Sequence, residues 1–288
     1  MENISFAKMS GAGNDFVVFN INSFLKLELD KNLVRKICDR HFGIGADGLI
    51  TISNSDKFDF AMNYFNADGT TGSLCGNGAR CAILFAKKNG MLKSNKTKFL
   101  SNALEYSGEI ISEKEIRFNL SNPKKIKLNF KVKAGNQLIT ANFVNTGSPH
   151  IVIYIDQILV DAKNPKIFYT NISDVPIVEL GREIRNLPEF YPDGVNVNFL
   201  QVENSYLKIR TYERGVEDET LACGTGSVAS AIVSNLLKNF SSPVTLITRG
   251  NDKLFVDFEV ENNEFSKVSL TGPAEFVFAG EIQKSFFE

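Results

Sequence analysis

The sequence predicts a strand-rich α+β fold that contains an internal duplication. Alternating or apolar runs typical of strands recur along the chain, whereas helical spacing is confined to three segments. Two of those helical segments repeat one another around a cysteine. The strand runs are FVVFN (16–20), FDFAMNYF (58–65), EIRFNL (115–120), HIVIYI (150–155), YLKIRTYE (206–213) and KLFVDFEV (253–260).

The three predicted helices have recognisable boundary signals. Asp30 can cap a helix over residues 31–40 that ends near Gly43. The other two helices begin just after Cys75 and just after Cys223. The first of these has lysines in its last turn and Gly90 as a stop, and the second also ends in a lysine.

The two cysteine segments indicate the duplication. Cys75 and Cys223 lie 148 positions apart, and a strand-type run precedes each while an apolar helix follows each. Two further landmarks pair at similar separations, GAGNDFVVF (11–19) with NTGSPHIVI (145–153) and GIGADGLITI (43–52) with DGVNVNFLQV (193–202). We therefore expect two similar domains with a boundary near residues 119–127. At the offset of 148, three more positions match: Tyr64 with Tyr212, Gly76 with Gly224, and Gly78 with Gly226.

Composition limits the classes of function. The 288 residues are enough for about two domains. A net charge of −1 provides no basic surface for nucleic acid, so no nucleic-acid partner is expected. No stretch approaches the ~18 apolar residues of a membrane span, and MENISFAKMS lacks the pattern of a secretory signal. Four cysteines are few for this length, which favours reduced thiols and a cytoplasmic location.

The glycine-rich turns around the two cysteines point to a chemistry. The first turn of a helix offers backbone N–H groups and a partial positive charge, which bind an anion and lower the pKa of a thiol toward neutrality. The Gly-Lys-Ser/Thr of a phosphate loop is absent, so the expected anion is a carboxylate. Two such thiols, facing one another across an interdomain cleft, can remove a proton from one face of a carbon and return one to the other. This arrangement inverts a stereocentre.

The remaining cysteines and the histidines have plainer interpretations. Cys38 and Cys81 are expected in the core. A metal site built from Cys38, His41, Cys75 and Cys81 has no Cys-x-x-Cys spacing to support it. His41 is expected to be structural, whereas His150 lies in a loop that matches GAGNDF of the first half.

Polar residues near the cysteines suit an amino-acid substrate. Glu213 and Arg214 end a strand, so at most one need line a cleft unless the chain turns at Gly215. Asparagines cluster in the glycine-rich loops, where they can donate and accept hydrogen bonds. They are Asn14, Asn66, Asn77 and Asn196.

These residues resemble the diaminopimelate epimerase family. The motifs that carry the resemblance spread over most of the chain in the family's order: KMSGAGNDFVVF, RHFGIGADGL, NADGTTGSLCGNGARC, NTGSPH, GVNVNF and YERGVEDETLACGTGSVA. The resemblance implies a cofactor-independent epimerase that interconverts LL- and meso-diaminopimelate, a step toward lysine and the peptidoglycan precursor. It also implies that a homodimer is common in the family.

The family fold refines the expected architecture. It has two similar α/β domains, each with a mixed sheet wrapped round a central helix, and the active site lies between them. The C-terminal strand returns to the first domain, and here that piece resembles PAEFVFAGEI (273–282). The expected domains are therefore residues 1–121 plus 273–288, and residues 122–272.

The resemblance also implies roles for the site residues. Cys75 and Cys223 are the expected acid/base pair, and no metal is expected. The other roles are contacts to the reacting α-carboxylate (Gly76, Asn77, Gly224 and Thr225), an auxiliary pair near the reacting α-amine (His150 and Glu213), and a grip on the distal amino-acid end (Asn14, Asn66, Asn196 and Arg214).

The chain departs from the family pattern at two positions. Some members carry Gln at the position of Gly48, and many carry Asn at the position of Ser148. The shorter Ser148 side chain predicts that distal recognition is rebuilt through water. Neither departure touches the thiols, so the predicted reaction type is unaffected.

Three alternatives remain at the level of sequence. A sister racemase acting on proline or hydroxyproline would share the thiol pair but has no use for a distal Arg and Asn grip. A redox protein would use the thiols to form a reversible disulfide. An amino-acid-binding module would explain the asparagines and glycines but not a thiol at both helix starts.

Overall fold

Strands dominate the computed structural model, which describes residues 3–23, 29–72, 75–262 and 264–287. The chain divides into two units, Met1–Asn119 with Gly272–Glu288 (unit 1) and Leu120–Thr271 (unit 2). The helices of the described ranges are α1 (Lys31–Cys38), α2 (Gly76–Lys88), α3 (Ile177–Arg185) and α4 (Gly224–Lys238). The strands are β1 (Asn3–Gly11), β2 (Asn14–Asn20), β3 (Gly48–Ser53), β4 (Phe60–Asn66), β5 (Lys96–Ser101), β6 (Leu104–Ile110), β7 (Glu115–Asn119), β8 (Lys124–Ala134), β9 (Gln137–Asn145), β10 (Pro149–Tyr154), β11 (Asn196–Val202), β12 (Leu207–Glu213), β13 (Asp218–Thr220), β14 (Val244–Ile247), β15 (Lys253–Glu261), β16 (Glu264–Pro273) and β17 (Glu275–Gln283).

The two units repeat one order of strand pairing. In unit 1, β1–β2 is antiparallel, β2–β3 parallel, β3–β4 antiparallel, β4–β5 parallel, and β5–β6 and β6–β7 antiparallel. In unit 2, β9, β10, β11, β12, β14, β15 and β16 follow the same alternation. The short strand β13 is an addition beside β12. The predicted duplication is therefore present in the topology of the sheets.

One further antiparallel strand completes the sheet of each unit, and it comes from a different part of the chain in the two units. In unit 2, β8 directly precedes its antiparallel neighbour β9 in the chain. In unit 1, the antiparallel neighbour of β1 is β17, which pairs Asn3 with Gln283 and Ser10 with Glu275. The segment predicted to return to the first half of the chain thus forms a strand there.

Each mixed sheet packs around one helix. α2 contacts β1, β2, β3, β4, β6 and β7, while α4 contacts β9, β10, β11, β14 and β15. Every residue of α2 from Gly76 to Ala86 is buried, as is α4 from Gly226 to Ser234. A helix buried on all sides is mostly apolar or small, which accounts for the alanines and glycines of both segments, and the buried polar residues of α2, Asn77 and Arg80, are hydrogen-bonded to each other. The predicted mixed sheet around a central helix is confirmed.

The outer helices differ from the sequence expectation. Asp30 caps α1 through Oδ1, which accepts from the backbone N of Leu33 at 2.8 Å. The helix ends at Cys38 and not at residue 40, because Asp39 is extended and its carboxylate binds the backbone N–H groups of the following turn. α3 was not predicted, although its buried residues follow helical spacing: Ile177, Leu180, Gly181 and Ile184.

The predicted strands agree with the structure. Each of the six runs coincides with an observed strand to within two residues at both ends. α2 and α4 begin directly after Cys75 and Cys223, as predicted, and Gly90 follows α2 with a φ of 70°. In the described part of the chain, no helix is long and apolar enough to cross a membrane.

Candidate active site

The two cysteines hold the same position relative to their helices. Each is the residue directly before the helix, with an extended backbone. The backbone O of Cys75 accepts from the N of Ala79 at 2.8 Å, and that of Cys223 accepts from the N of Ser227 at 2.9 Å. Each thiol therefore lies beside a first helical turn whose N–H groups point away from the helix body.

The other two thiols lie in the cores. Cys38 and Cys81 are buried, and burial raises the pKa of each thiol to about 12. Both are protonated at neutral pH and are poor nucleophiles and metal ligands. Among the described residues, no group of three or more His, Cys, Asp or Glu side chains could hold a metal ion.

In unit 1, a directed chain of amides reaches the start of α2. Arg80, which is fully buried, donates from Nη2 to Oδ1 of Asn77 at 2.9 Å. Nδ2 of Asn77 donates to Oδ1 of Asn14 at 2.6 Å, and Nδ2 of Asn14 donates to Oδ2 of Asp47 at 3.0 Å. The structure thus brings two of the predicted site residues, Asn14 and Asn77, into direct contact at the helix that follows Cys75.

Charged residues support the far end of this chain. Arg40 binds both carboxylate oxygens of Asp15, at 3.0 and 2.8 Å, and Oδ1 of Asp47 at 2.7 Å. Lys8, only 7% exposed, donates to the backbone O of Gly45 and lies 2.7 Å from Asp15. Burial of Asp15 opposes its ionisation, but the hydrogen bonds from Arg40 and Lys8 outweigh burial and lower its pKa to about 2.

Asn66 lies in a separate turn of unit 1. It ends β4, and its Nδ2 donates to Oγ1 of Thr70 at 3.0 Å. Its backbone N and O also close the turn, through Thr70 and Gly69 respectively. No described contact joins Asn66 to Asn14 or Asn77.

In unit 2, His150 is the centre of a buried polar layer. Its side chain is fully buried, and burial, followed by the charge of Arg214, lowers its pKa to about 3. Nδ1 lies 3.2 Å from Nδ2 of Asn198. Nε2 lies 2.9 Å from Oγ of Ser148 and 3.0 Å from Oγ1 of Thr225. His150 is therefore neutral, with both ring nitrogens in hydrogen-bond contact.

The hydroxyls beside His150 lead to the second thiol. Oγ1 of Thr225 lies 3.2 Å from Oγ of Ser148 and 3.7 Å from Sγ of Cys223. The hydroxyl of Thr146 donates to the backbone O of Thr225 at 2.9 Å, which fixes the start of α4. The predicted residues His150, Thr225 and Cys223 are thus brought together by direct contacts.

Asn196 connects this layer to Arg214. Its Nδ2 donates to the backbone O of Pro149 at 3.1 Å and to Oγ of Ser148 at 3.4 Å, while its Oδ1 accepts from the backbone N of Arg214 at 2.9 Å. Nη1 of Arg214 donates to the backbone O of Asp193 at 3.3 Å. Both hydrogens of the Asn196 amide therefore have acceptors within the protein.

The chain turns immediately after Arg214. β12 ends at Glu213, and Gly215 has a φ of 91°, a conformation that favours glycine. Adjacent residues of a strand point to opposite faces, but the turn at Gly215 allows Glu213 and Arg214 to line one site. Oε2 of Glu213 accepts from Oγ1 of Thr220 at 2.9 Å.

The two departures from the family pattern have structural explanations. At Gly48, an added Cβ would lie 2.6 Å from the ring of Tyr64 and 2.8 Å from the backbone O of Phe65, so no side chain fits there. Ser148 is in contact with His150, Thr225 and Asn196. Its hydroxyl is therefore part of the layer that leads to Cys223.

Comparison with known proteins decides the family. A family model described as diaminopimelate epimerase matches residues 6–126 and 142–277. The chain belongs to the diaminopimelate epimerase family. A relative named diaminopimelate epimerase from Chlorobaculum tepidum is 40% identical over 95% of this chain and 99% of its own. One with the same name from Aquifex aeolicus is 39% identical over 99% and 100%.

A solved structure shares the fold. A phenazine biosynthesis protein of the PhzF family from Bacillus anthracis superposes with a TM-score of 0.72 at 14% identity, covering 98% of this chain and 100% of its own. Its sequence identity is low, so this likeness shows the fold alone.

The family model and the two relatives confirm the family resemblance inferred from the motifs.

Sequence reasoning missed part of the polar layer around the site of this family member. Thr211 donates to Asn198, and Asn198 lies in hydrogen-bond contact with Nδ1 of His150. In unit 1, Asp47 accepts from Asn14 and so orients its amide. One signal was available, because Asn196 and Asn198 lie two residues apart in GVNVNF and so share one face of a strand.

Proposed function

We propose that this chain interconverts LL-2,6-diaminopimelate and meso-diaminopimelate by a 1,1-proton transfer between Cys75, Cys223 and one α-carbon. Family membership supports the substrate, since relatives at 40% and 39% identity bear the name diaminopimelate epimerase. The observation that carries the mechanism is the matched position of the two thiols, each directly before the buried central helix of a repeated unit.

The helix starts supply the carboxylate contacts. In the first turn of an α-helix the N–H groups have no acceptor within the helix, and the helix dipole adds positive character there. Gly76 and Asn77 begin α2, and Gly224 and Thr225 begin α4. Their backbone N–H groups bind the α-carboxylate, which accepts negative charge as the α-proton leaves.

The proton transfer balances without an outside reagent. One cysteine thiolate takes the α-proton and becomes a thiol, and the electron pair of the broken C–H bond is delocalised into the carboxylate. The thiol of the other cysteine then gives its proton to the opposite face of the carbon and becomes a thiolate. The configuration is inverted, the two thiols have exchanged protonation states, and the reaction requires no cofactor.

The polar residues are assigned to the two ends of the substrate. His150 and Glu213 act on the reacting α-amine, and His150 does so through the hydroxyls of Ser148 and Thr225, since its ring is fully buried. Arg214 pairs with the distal carboxylate, the group that proline lacks. Asn14 and Asn66 complete the distal grip, and Asn196 contributes to it by holding the backbone N of Arg214.

The same proposal covers the setting of the enzyme. We assign the two units to the N-terminal domain (1–121 plus 273–288) and the C-terminal domain (122–272). Four cysteines are few for a chain of 288 residues, which supports reduced thiols and a cytoplasmic location. The enzyme is expected to be a homodimer, to bind no nucleic acid and to supply precursors of lysine and peptidoglycan.

Deuterium exchange tests the reaction directly. The reduced protein is incubated with LL-diaminopimelate in D2O, and the α-hydrogen is followed by proton NMR. We expect loss of the α-proton signal with formation of the meso isomer. Cys75→Ala and Cys223→Ala should each abolish epimerisation, because each removes one of the two proton carriers.

The matched controls are the two core thiols. Cys38→Ala and Cys81→Ala should retain exchange, since neither thiol is ionised or placed at a helix start. Exchange on proline in place of diaminopimelate would reassign the substrate. Retained epimerisation in either helix-start variant would refute the two-thiol mechanism.

A further inference from the structure

Asn198 occupies a fully buried position beside His150. It lies in β11, opposite Val152 of β10 and Thr211 of β12. Its Nδ2 lies 2.8 Å from the backbone O of Ile151 and 3.2 Å from Nδ1 of His150, and its Oδ1 accepts from Oγ1 of Thr211 at 3.0 Å. All of these contacts lie within unit 2.

The backbone fixes which end of this amide faces the imidazole. A carbonyl oxygen can only accept, so the amide group that faces the O of Ile151 is the NH2. One amide hydrogen goes to Ile151, and the other points to Nδ1 of His150. Nδ1 is therefore an acceptor and carries no hydrogen.

A neutral imidazole with a bare Nδ1 has its hydrogen on Nε2. His150 is neutral because burial, aided by the positive charge of Arg214, lowers its pKa to about 3. Nε2–H can donate to the hydroxyl of Ser148 or to that of Thr225, and it can accept from neither.

The tautomer decides where the hydroxyl proton of Thr225 goes. With Nε2 protonated, that proton is left for Sγ of Cys223 at 3.7 Å or Oγ of Ser148 at 3.2 Å. A thiolate is the stronger acceptor because it is charged. In the opposite tautomer, Nε2 would accept the Thr225 proton and withdraw it from the sulfur.

We propose that Asn198 is a positioning residue that holds His150 in the Nε2–H tautomer and thereby directs the Thr225 hydroxyl to donate to the Cys223 thiolate. Its value for catalysis rests on the proposed two-thiol function, whereas the tautomer and the hydrogen bond are properties of the enzyme without substrate.

The residue that corresponds to Thr225 in unit 1 is of a different type. The residue two positions after Cys75 is Asn77, whose side chain bonds to Asn14 and Arg80. The residue two positions after Cys223 is Thr225, whose hydroxyl reaches the sulfur. Cys75 therefore serves as an internal control for any change at Cys223.

Nitrogen NMR of the intact protein reports the tautomer of the His150 ring directly. The chain has two histidines, so the His41→Gln variant labelled with ¹⁵N-histidine reports on His150 alone. At neutral pH we expect a protonated Nε2 and a bare Nδ1. A protonated Nδ1, or a doubly protonated ring, would overturn the proposal before any variant is made.

Two substitutions in the same layer separate positioning from packing. Asn198→Asp has nearly the same shape but offers only acceptors, so it should move the hydrogen of His150 to Nδ1. Thr211→Val removes the donor to Asn198 Oδ1 and leaves both Nδ2 donations, so it should retain the Nε2–H tautomer. An Nδ1 that stays without a hydrogen in the Asp variant would refute the role of Asn198.

Alkylation of the thiols reads the second step. Iodoacetamide labelling of Cys223 and Cys75 is followed in one sample by mass spectrometry. Thr225→Val and Asn198→Asp should each slow labelling of Cys223 by ~3-fold or more through loss of a charge-assisted hydrogen bond, with Cys75 unchanged. Unchanged labelling of Cys223 in Thr225→Val would refute donation to the sulfur. If the wild-type protein shows the Nε2–H tautomer and the expected labelling of Cys223 but no deuterium exchange, that result would instead count against the proposed function.

Discussion

Nδ2 of Asn77 donates to Oδ1 of Asn14 over 2.6 Å, and this contact joins the start of α2 to the first residue of β2. The amide of Asn77 accepts from Arg80, and that of Asn14 donates to Asp47. The hydrogen bonds therefore run in one direction, from a buried cation to a carboxylate. Their direction fixes the orientation of the Asn14 amide.

The first prediction concerns Asp47, the last acceptor in this series of hydrogen bonds. Asp47→Ala removes the acceptor of Asn14 Nδ2, so the Asn14 amide can rotate away from its binding orientation. We expect KM for LL-diaminopimelate to rise by ~10-fold with kcat within ~2-fold, the pattern of lost uniform binding. Steady-state kinetics measures both constants.

Arg40→Met is the matched control for Asp47. It removes the ion pairs of Arg40 with Asp15 and Asp47 but leaves the bond from Asn14 to Asp47. If KM rises equally in both variants, the effect belongs to the ion pairs and not to the orientation of Asn14.

The second prediction is a pH dependence of stability from His150. Its pKa falls from 6.5 to about 3 on folding, so the unfolded chain binds a proton between these values and the folded chain does not. The stabilisation is present above pH 6.5 and is lost as the pH falls toward 3, by up to ~1.4 kcal/mol per pH unit. Urea unfolding of wild type and His150→Gln across this range should give curves whose difference has that slope. His41→Gln, an exposed histidine, should run parallel to wild type.

The third prediction concerns Asp15 and the buried Lys8. Asp15→Asn leaves Lys8 without its carboxylate, which should lower the free energy of unfolding at neutral pH by ~3 kcal/mol. The pKa of Asp15 is lowered from 3.8 to about 2, so this deficit should persist above pH 3.8 and disappear as the pH falls toward 2. Lys98→Met, which removes an exposed ion pair with Glu105, should leave the urea midpoint unchanged. A deficit that does not vary with pH would show that the carboxylate charge is not its source.

The fourth prediction compares two matched glycines. A Cβ at Gly226 would overlap Oδ1 of Asn198, which is held in the polar layer, whereas a Cβ at Gly78 would lie 3.3 Å from the methyl tip of Ile50. Gly226→Ala should cost ~1–3 kcal/mol by overpacking. Gly78→Ala should remain within ~1 kcal/mol of wild type, because alanine favours the helix and the Ile50 tip can move. Thermal unfolding of both variants tests the difference, and equal losses would contradict it.

The sequence foretold the features that depend on nearby residues. The starts of α2 and α4 follow from glycine-rich turns next to apolar helical spacing, and the repeat at 148 positions predicted matching halves. α3 was missed although its apolar positions follow helical spacing, because it has only nine residues and its N-cap position, Pro176, has no side-chain cap. The contact of Asn198 with Thr211 depends on the register between β11 and β12, which no local pattern specifies. The contact of Asn14 with Asp47 likewise joins residues 33 positions apart.

The return of β17 to β1 sets an order of events during synthesis on the ribosome. All the strands of unit 2 have been made once Pro273 is added, and β8 is already beside β9 in the chain. β1, although made before the other described strands, keeps an unpaired edge until residues 275–283 emerge from the exit tunnel. An unpaired strand edge readily pairs with other chains. Unit 1 is therefore completed after unit 2, and we expect the open edge of β1 to be the surface that needs protection from aggregation for longest.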